Sequence, residues 1–482
     1  MIKIKTFFLV FIASSTFGFA QNCTCESNFQ WVKQTFEEND AGFQYVIDKK
    51  GNSAYQAHNT DFLNRIKNVK SDAECTQTIY DWMKFFRSGH LSISRIDNKT
   101  PQTQPSPRQQ PQTELVKIDL EKFKKEVQYK KSSDIEGIWE ANPYTIGVKK
   151  LGDTYKGFII KSSADNWKPG ELKFTINADK TKGIYYLRDK SGQNINHIEL
   201  IGKNYLEVGD FTLKRVSPVF EREEGIETYY EAMQAQGPFL KELNKNTLLL
   251  RIPSFNGAIK KQIDSVITTN KAKIESTENL IIDIRNNGGG SDNSFAKIIP
   301  YLYTNPIRSI RTQMYSTKLN NQRMLDLYEN YEKYGIPIEE REYLKKAYDK
   351  LNANLGKFIT IQGDGSPVSI NKLDKVFPFP KNIGIIINNG NGSTAEEFLL
   401  AAKQSKKVKL FGTTTAGVLD ISNMYFVNSP CNEFKMGYSL SKSFRIPDMA
   451  IDEKGIQPDY FIDKTIPVYQ WIDFVSDVLN EK

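Results

Sequence analysis

The run Leu280-Ile281-Ile282-Asp283-Ile284 is nearly all apolar, and a strand without polar alternation must be covered on both faces. Only a layered structure covers it, with helices packed above and below a sheet. The flanking sequence fits that demand. Leu248 to Ile252 reads as a strand, Ile259 to Ile267 as an amphipathic helix, and Ile383 to Ile387 and Val408 to Phe411 as further strands around a helix at 394–405. Helical segments are also expected at 294–302 and 320–354, giving an α/β core with a mixed sheet.

At 482 residues the chain exceeds one ordinary core of roughly 100–200 residues. Met1 to Ala20 carries Lys3 and Lys5, an apolar stretch from Phe7 to Ala13 and small residues at Gly18 and Ala20, the pattern of a secretory signal peptide cleaved before Gln21. A periplasmic or extracellular location is therefore expected. The residues before Cys23 lack the small-residue pattern of a lipid-attachment site. Residues 21–97 read as an N-terminal helical domain, with apolar stripes Phe29, Val32, Phe36 behind a Ser27 cap and Ile79, Trp82, Met83, Phe86 after Ser71. The second helix is expected to stop at Gly89, with a short strand from Leu91 to Ser94. Residues 98–116 form a Pro/Gln-rich linker. Residues 117–217 hold short period-two runs, such as Gly157 to Ile160 and Leu172 to Ile176, that point to an antiparallel β-barrel or sandwich. Residues 218–482 form the α/β core, with a helical insertion at 315–355. The whole is a multidomain α+β chain.

A net charge of +8 with no block of Lys and Arg argues against a nucleic-acid partner. No apolar run reaches the roughly 20 residues of a spanning helix, so no stable membrane insertion is expected. Four cysteines, Cys23, Cys25, Cys75 and Cys431, fit disulfides in an exported chain better than a metal cluster, with Cys25 or else Cys23 joined to Cys75. No metal and no cofactor are expected. Nothing in the sequence sets an oligomeric state. The three histidines are His58, His90 and His197; His197 reads as a surface residue.

Two loops follow buried strands and open helices, where open α/β sheets place ligands. The first, Asp283-Ile284-Arg285-Asn286-Asn287-Gly288-Gly289-Gly290, turns main-chain amides outward but has neither the Gly-Lys-Ser/Thr ending nor the Gly-x-Gly-x-x-Gly spacing of a phosphate loop. Asp283, Arg285 and Asn287 are expected to brace it by buried polar pairing. The second, Asn389-Gly390-Asn391-Gly392-Ser393-Thr394-Ala395-Glu396, places a serine at a helix N-terminus beside unpaired amides, notably that of Thr394. Ser393 with Glu396 is also the pattern of a capping box.

Taken in order, these loops, the segment Leu250-Arg251-Ile252-Pro253-Ser254-Phe255 and the tail Gly455-Ile456-Gln457-Pro458-Asp459 resemble the C-terminal processing, or tail-specific, serine protease family over about 218–470. The resemblance implies a ClpP/crotonase-like α/β protease core with Ser393 as nucleophile. One branch of the family uses a lysine 25 residues after the serine; Val418 stands there. The other, tricorn-like branch uses a histidine from the N-terminal helical part, and Ser88-Gly89-His90-Leu91 matches it, with Gly89 where a supporting serine is usual. The family's acid falls at Asp452, three residues before Gly455, with Glu453 adjacent. No PDZ module is recognisable. The resemblance implies a serine peptidase acting on peptide or protein substrates, with Ser393, His90 and Asp452 catalytic and amides of Gly288 or Gly289 and Thr394 in the oxyanion hole. The alternative is a non-catalytic peptide or apolar-ligand binding protein on the same fold.

Overall fold

The computed structural model describes residues 23–96, 113–333 and 336–481. The leader, nearly all of the Pro/Gln-rich linker and Tyr334 lie outside the described residues. The chain divides into two compact units, each assembled from three separate segments.

The first unit comprises Met1–Lys99, Ile307–Asn371 and Ala416–Ile456. Its N-terminal helices are Cys25–Asn39, Phe43–Lys50, Asn52–Lys67 and Asp72–Met83. Thr24, not Ser27, caps the first: the Ser27 amide donates to Thr24 Oγ1 at 3.1 Å and the Thr24 amide to Ser27 Oγ at 3.0 Å. Ser71 caps the fourth, as its position before an acidic first turn implies. The stripes of Phe29, Val32, Phe36, Ile79, Trp82 and Met83 close on one another with no exposure, and each such side chain contributes roughly 1.5–3 kcal/mol on burial.

The fourth helix ends at Met83, not Gly89. The chain then turns into the strand Ser92–Arg95, which pairs antiparallel with Phe434–Ser443. That long strand also pairs with Ile421–Asn428 and Thr312–Tyr315. Helices Lys318–Glu329 and Ile338–Asn352, the expected insertion, add Met324, Leu344 and Leu351 to the same core. Disulfides Cys25–Cys75 and Cys23–Cys431 tie the first helix to the fourth and the start of the described chain to the turn before Phe434.

The second unit comprises Thr100–Pro306, Lys372–Thr415 and Gln457–Lys482. Residues 137–217 form a nine-stranded antiparallel, barrel-like sheet, two strands more than the alternation reveals, Gly192–Ile195 and Ile198–Ile201. Trp139, Ile146, Phe174, Ile176, Leu206 and Leu213 fill its interior. Helix Leu120–Gln128 covers an outer face through Phe123 against Phe158.

The α/β sheet of this unit runs Phe239–Asn244, Thr247–Arg251, Asn279–Asp283, Asn382–Ile387, Val408–Gly412 and Tyr460–Phe461. All pairings are parallel except the first. Asn279–Asp283 lies between two parallel neighbours with every residue buried, the position its composition demanded. Among the described residues no helix is long and apolar enough to cross a membrane.

Candidate active site

Within the second unit, Asp283 pairs with Ile386 across adjacent parallel strands, so the two loops leave the sheet side by side. Their bracing is polar and buried. Asp283 is fully buried between Arg285, whose Nη2 donates at 2.6 Å, and Arg251 at 3.3 Å. Burial alone raises a carboxyl, but the two guanidinium groups outweigh it and hold Asp283 below the usual carboxylate range. Asn287 Oδ1 accepts the amides of Gly289 at 3.0 Å and Phe255 at 3.2 Å, and its Nδ2 donates to Ile252. Asn391, fully buried, donates to the carbonyl oxygens of Ile284 and Asn287, while its Oδ1 accepts the Asn388 amide at 2.7 Å. Asn388 in turn accepts the Asn286 amide at 2.9 Å. Asn388 and Asn391, which lock one loop to the other, have no assigned role in the sequence reading; the asparagine-rich run itself is the only signal for them.

Ser393 opens the helix Thr394–Ala402 at φ 54° and ψ −124°. A capping serine does not need that conformation. Ser71 and Thr317, which cap other helices of this chain, are ordinary extended residues at φ −146° and −129°. Holding a non-glycine residue with positive φ in this sparsely populated region costs on the order of 1–3 kcal/mol. Glu396, fully buried, accepts the Ser393 amide at 3.2 Å and the Thr415 hydroxyl at 2.6 Å, so the expected box is half of a larger clamp.

Gly289 stands against this turn at φ 102°. A Cβ there would lie 2.7 Å from the Gly392 oxygen and 2.8 Å from the Thr394 nitrogen. Its own amide is spent on Asn287, which removes Gly289 as an oxyanion donor and leaves it a steric role. Among the described residues, the amides of Gly288 and Thr394 donate to no acceptor, and a Cβ on Gly288 would meet open space.

Within the first unit, His90 also has positive φ, 53°. Its Nδ1 lies 2.8 Å from the Ile421 carbonyl oxygen. A carbonyl only accepts, so Nδ1 carries the proton and Nε2 the lone pair in the neutral ring. Burial lowers the imidazole pKa below its ordinary value, opposed by the Ile421 carbonyl and reinforced by the charge on Arg87. Arg87 grips Asp40 through two bonds of 2.7 and 2.6 Å and donates to the carbonyl oxygens of Gly89 and His90, fixing the turn that presents the ring. Arg87 and Asp40 also escape the sequence reading.

Among the described residues no hydrogen bond joins Asp452 to His90. The Asp452 carboxylate accepts the amides of Leu419 and Asp420 at 2.6 Å each and Ile421 at 3.1 Å. Asp452 bears on the ring at one remove, through a single residue: it holds the Leu419–Ile421 amides and the Ile421 carbonyl holds the ring. The short aspartate side chain is committed to the main chain. Glu453 is half exposed and paired with Lys49 at 2.9 Å.

Ser393 thus opens its helix at positive φ beside the glycine-loop amides, on a mixed α/β sheet. The sequence model of peptidase family S41 matches residues 246–462, a little under half of the chain. An uncharacterized protein of Chlamydia muridarum is 28% identical over 203 residues, covering 36% of this chain and 33% of that protein, so the match spans about a third of the curated relative. The structure of mature CPAF complexed with lactacystin is similar over 95% of this chain and 97% of that one, with a TM-score of 0.52 and 13% identity. The photosystem II D1 C-terminal processing protease matches over 95% and 98%, with a TM-score of 0.38 and 11% identity.

Proposed function

We propose that the chain is an exported serine peptidase that cleaves peptide or protein substrates through an acyl-enzyme on Ser393. The observation that carries this reading is the backbone of Ser393, held at positive φ where a mere helix cap needs none.

In the proposed reaction Ser393 Oγ attacks the scissile carbonyl carbon while its proton passes to Nε2 of His90. The oxyanion is met by the amides of Gly288 and Thr394. Collapse expels the amine, which takes the proton from His90. Water then loses a proton to His90 and hydrolyses the ester, restoring Ser393. Asp452 is a positioning residue, acting on the ring only through Ile421. Export is supported by the leader-like first 20 residues and by the two disulfides, which persist in oxidising compartments.

Labelling by a fluorophosphonate, located by peptide mass mapping, tests the reading. Modification of Ser393 is expected, lost in Ser393→Ala and strongly slowed in His90→Ala. Undiminished labelling or peptide cleavage by Ser393→Ala would overturn it.

A further inference from the structure

An open cavity of about 810 Å³ lies between the barrel-like sheet and the helix Glu224–Gln234, within the size range of small-molecule sites. None of its lining residues belongs to the Ser393 or glycine loops. One wall is the buried Lys173, 1% exposed. Strand pairing explains how a lysine comes to point inward. Gly157 pairs with Phe174 and Phe158 with Leu172, so Lys173 is the extra residue of a β-bulge, a device that re-aims a side chain.

The surroundings of its ammonium group are unusual. Nζ donates to the Tyr186 carbonyl at 2.6 Å and lies 4.2, 4.0 and 5.0 Å from the ring centres of Tyr144, Trp167 and Tyr185. No carboxylate pairs with it among the described residues. Yet the other buried lysine of this sheet, Lys190, has one: Glu171 at 2.7 Å. A buried cation without a counter-ion is costly, and desolvation pushes the Lys173 amine down to about 8. Arg188, an exposed lining residue, likewise has no acidic partner among the described residues. By contrast, two of the acids lining the cavity are already neutralised, Glu227 by Arg222 and Glu231 by Lys241. The rest of the lining is mixed, with Glu140, Asp210 and Glu224 among its polar residues; on its apolar side Tyr185 and Phe211 stack at 3.9 Å and 8° and give a flat wall.

We propose that this cavity binds a small amphiphilic carboxylate, its acid group paired with Lys173 and Arg188 and its apolar body laid against Tyr185 and Phe211. The ligand supplies the counter-ion that the fold withholds, in a desolvated setting where a charge-assisted pair is strong.

Isothermal titration of the purified full chain with decanoate, 2-naphthoate and decan-1-ol tests the assignment. One decanoate per chain is expected, with decan-1-ol at least tenfold weaker. Lys173→Met, which keeps shape and removes charge, is expected to weaken decanoate at least tenfold while leaving fluorophosphonate labelling of Ser393 intact. Arg188→Ala, on an exposed side chain, is expected to weaken it several-fold. Failure of both acids to bind, equal affinity for acid and alcohol, or unchanged affinity in folded Lys173→Met would overturn the proposal. Should Lys173→Met not fold, the acid-to-alcohol ratio and Arg188→Ala decide it. Loss of Ser393 labelling in the unmodified chain would sink the peptidase reading and leave this one standing.

Discussion

A Cβ added to Gly89 would stand 2.4 Å from Cγ1 and 2.7 Å from Cβ of Val418. The two departures from the tricorn-like and lysine-dependent patterns, glycine where a supporting serine is usual and valine where a lysine is, are therefore one packing fit. Gly89→Ser is expected to lose about 1–3 kcal/mol by overpacking. Adding Val418→Ala is expected to recover at least ~1 kcal/mol of that in a double-mutant cycle. Urea midpoints of the four proteins measure the coupling; simple additivity would show that the pair does not constrain each other.

Gly289 combines φ 102° with a Cβ direction closed by the Gly392 oxygen and Thr394 nitrogen. Gly289→Ala is expected to destabilise by more than ~1 kcal/mol and to slow fluorophosphonate labelling, because relief of the clash displaces the Ser393 turn. Thermal unfolding and labelling rate, read on the same sample, check this. Retention of both would mean the close approach is not needed.

The pH profile follows from two groups. His90 must be neutral to act as base, and burial lowers its pKa below the ordinary ~6.5. Asp452 is pushed up to about 6, by burial first, with the neighbouring Asp420 also raising it against the opposing main-chain amides. Acidification thus protonates the base and also neutralises the carboxylate that holds Leu419 to Ile421. Activity is expected to be level from pH 7 to 8 and to fall below pH ~6.5 more steeply than one proton allows. A midpoint above pH 7 in kcat/KM would contradict this.

Asp452→Asn turns one acceptor oxygen into a donor facing main-chain amides. Loss of such buried bonds costs roughly 1–3 kcal/mol. If Asp452 positions the ring through Ile421, the loss appears as a drop of about tenfold or more in kcat with KM little changed and as a displaced acid limb. Steady-state kinetics across pH measure it. An unchanged acid limb with altered KM would place Asp452 outside the catalytic relay.

The legible parts of the sequence were those where one physical constraint acts alone. The nearly all-apolar Leu280–Ile284 run dictated a strand covered on both faces, and the period-two runs of 137–217 dictated paired strands. Strand Phe434–Ser443 escaped because Ser439, Ser441 and Ser443 are buried polar residues in it, their cost met by partners far away in sequence such as Arg87. The Ser393–Glu396 spacing announced a helix start but carried no record of φ, which the clamp through Glu396 and Thr415 imposes from outside the motif. Asp452 lies against the Leu419–Ile421 segment that supports the histidine. Its bonding to amides was beyond reach, since a main-chain donor leaves no residue type to read.

The imidazole of His90 is anchored by a peptide carbonyl. Every amino acid supplies the same carbonyl, so this contact depends on the path of the strand, while the Ile421 side chain is fixed separately by its burial. Alanine scanning at position 421 would therefore leave the anchor itself in place, because the contact is written in the backbone trajectory and in no letter of the sequence.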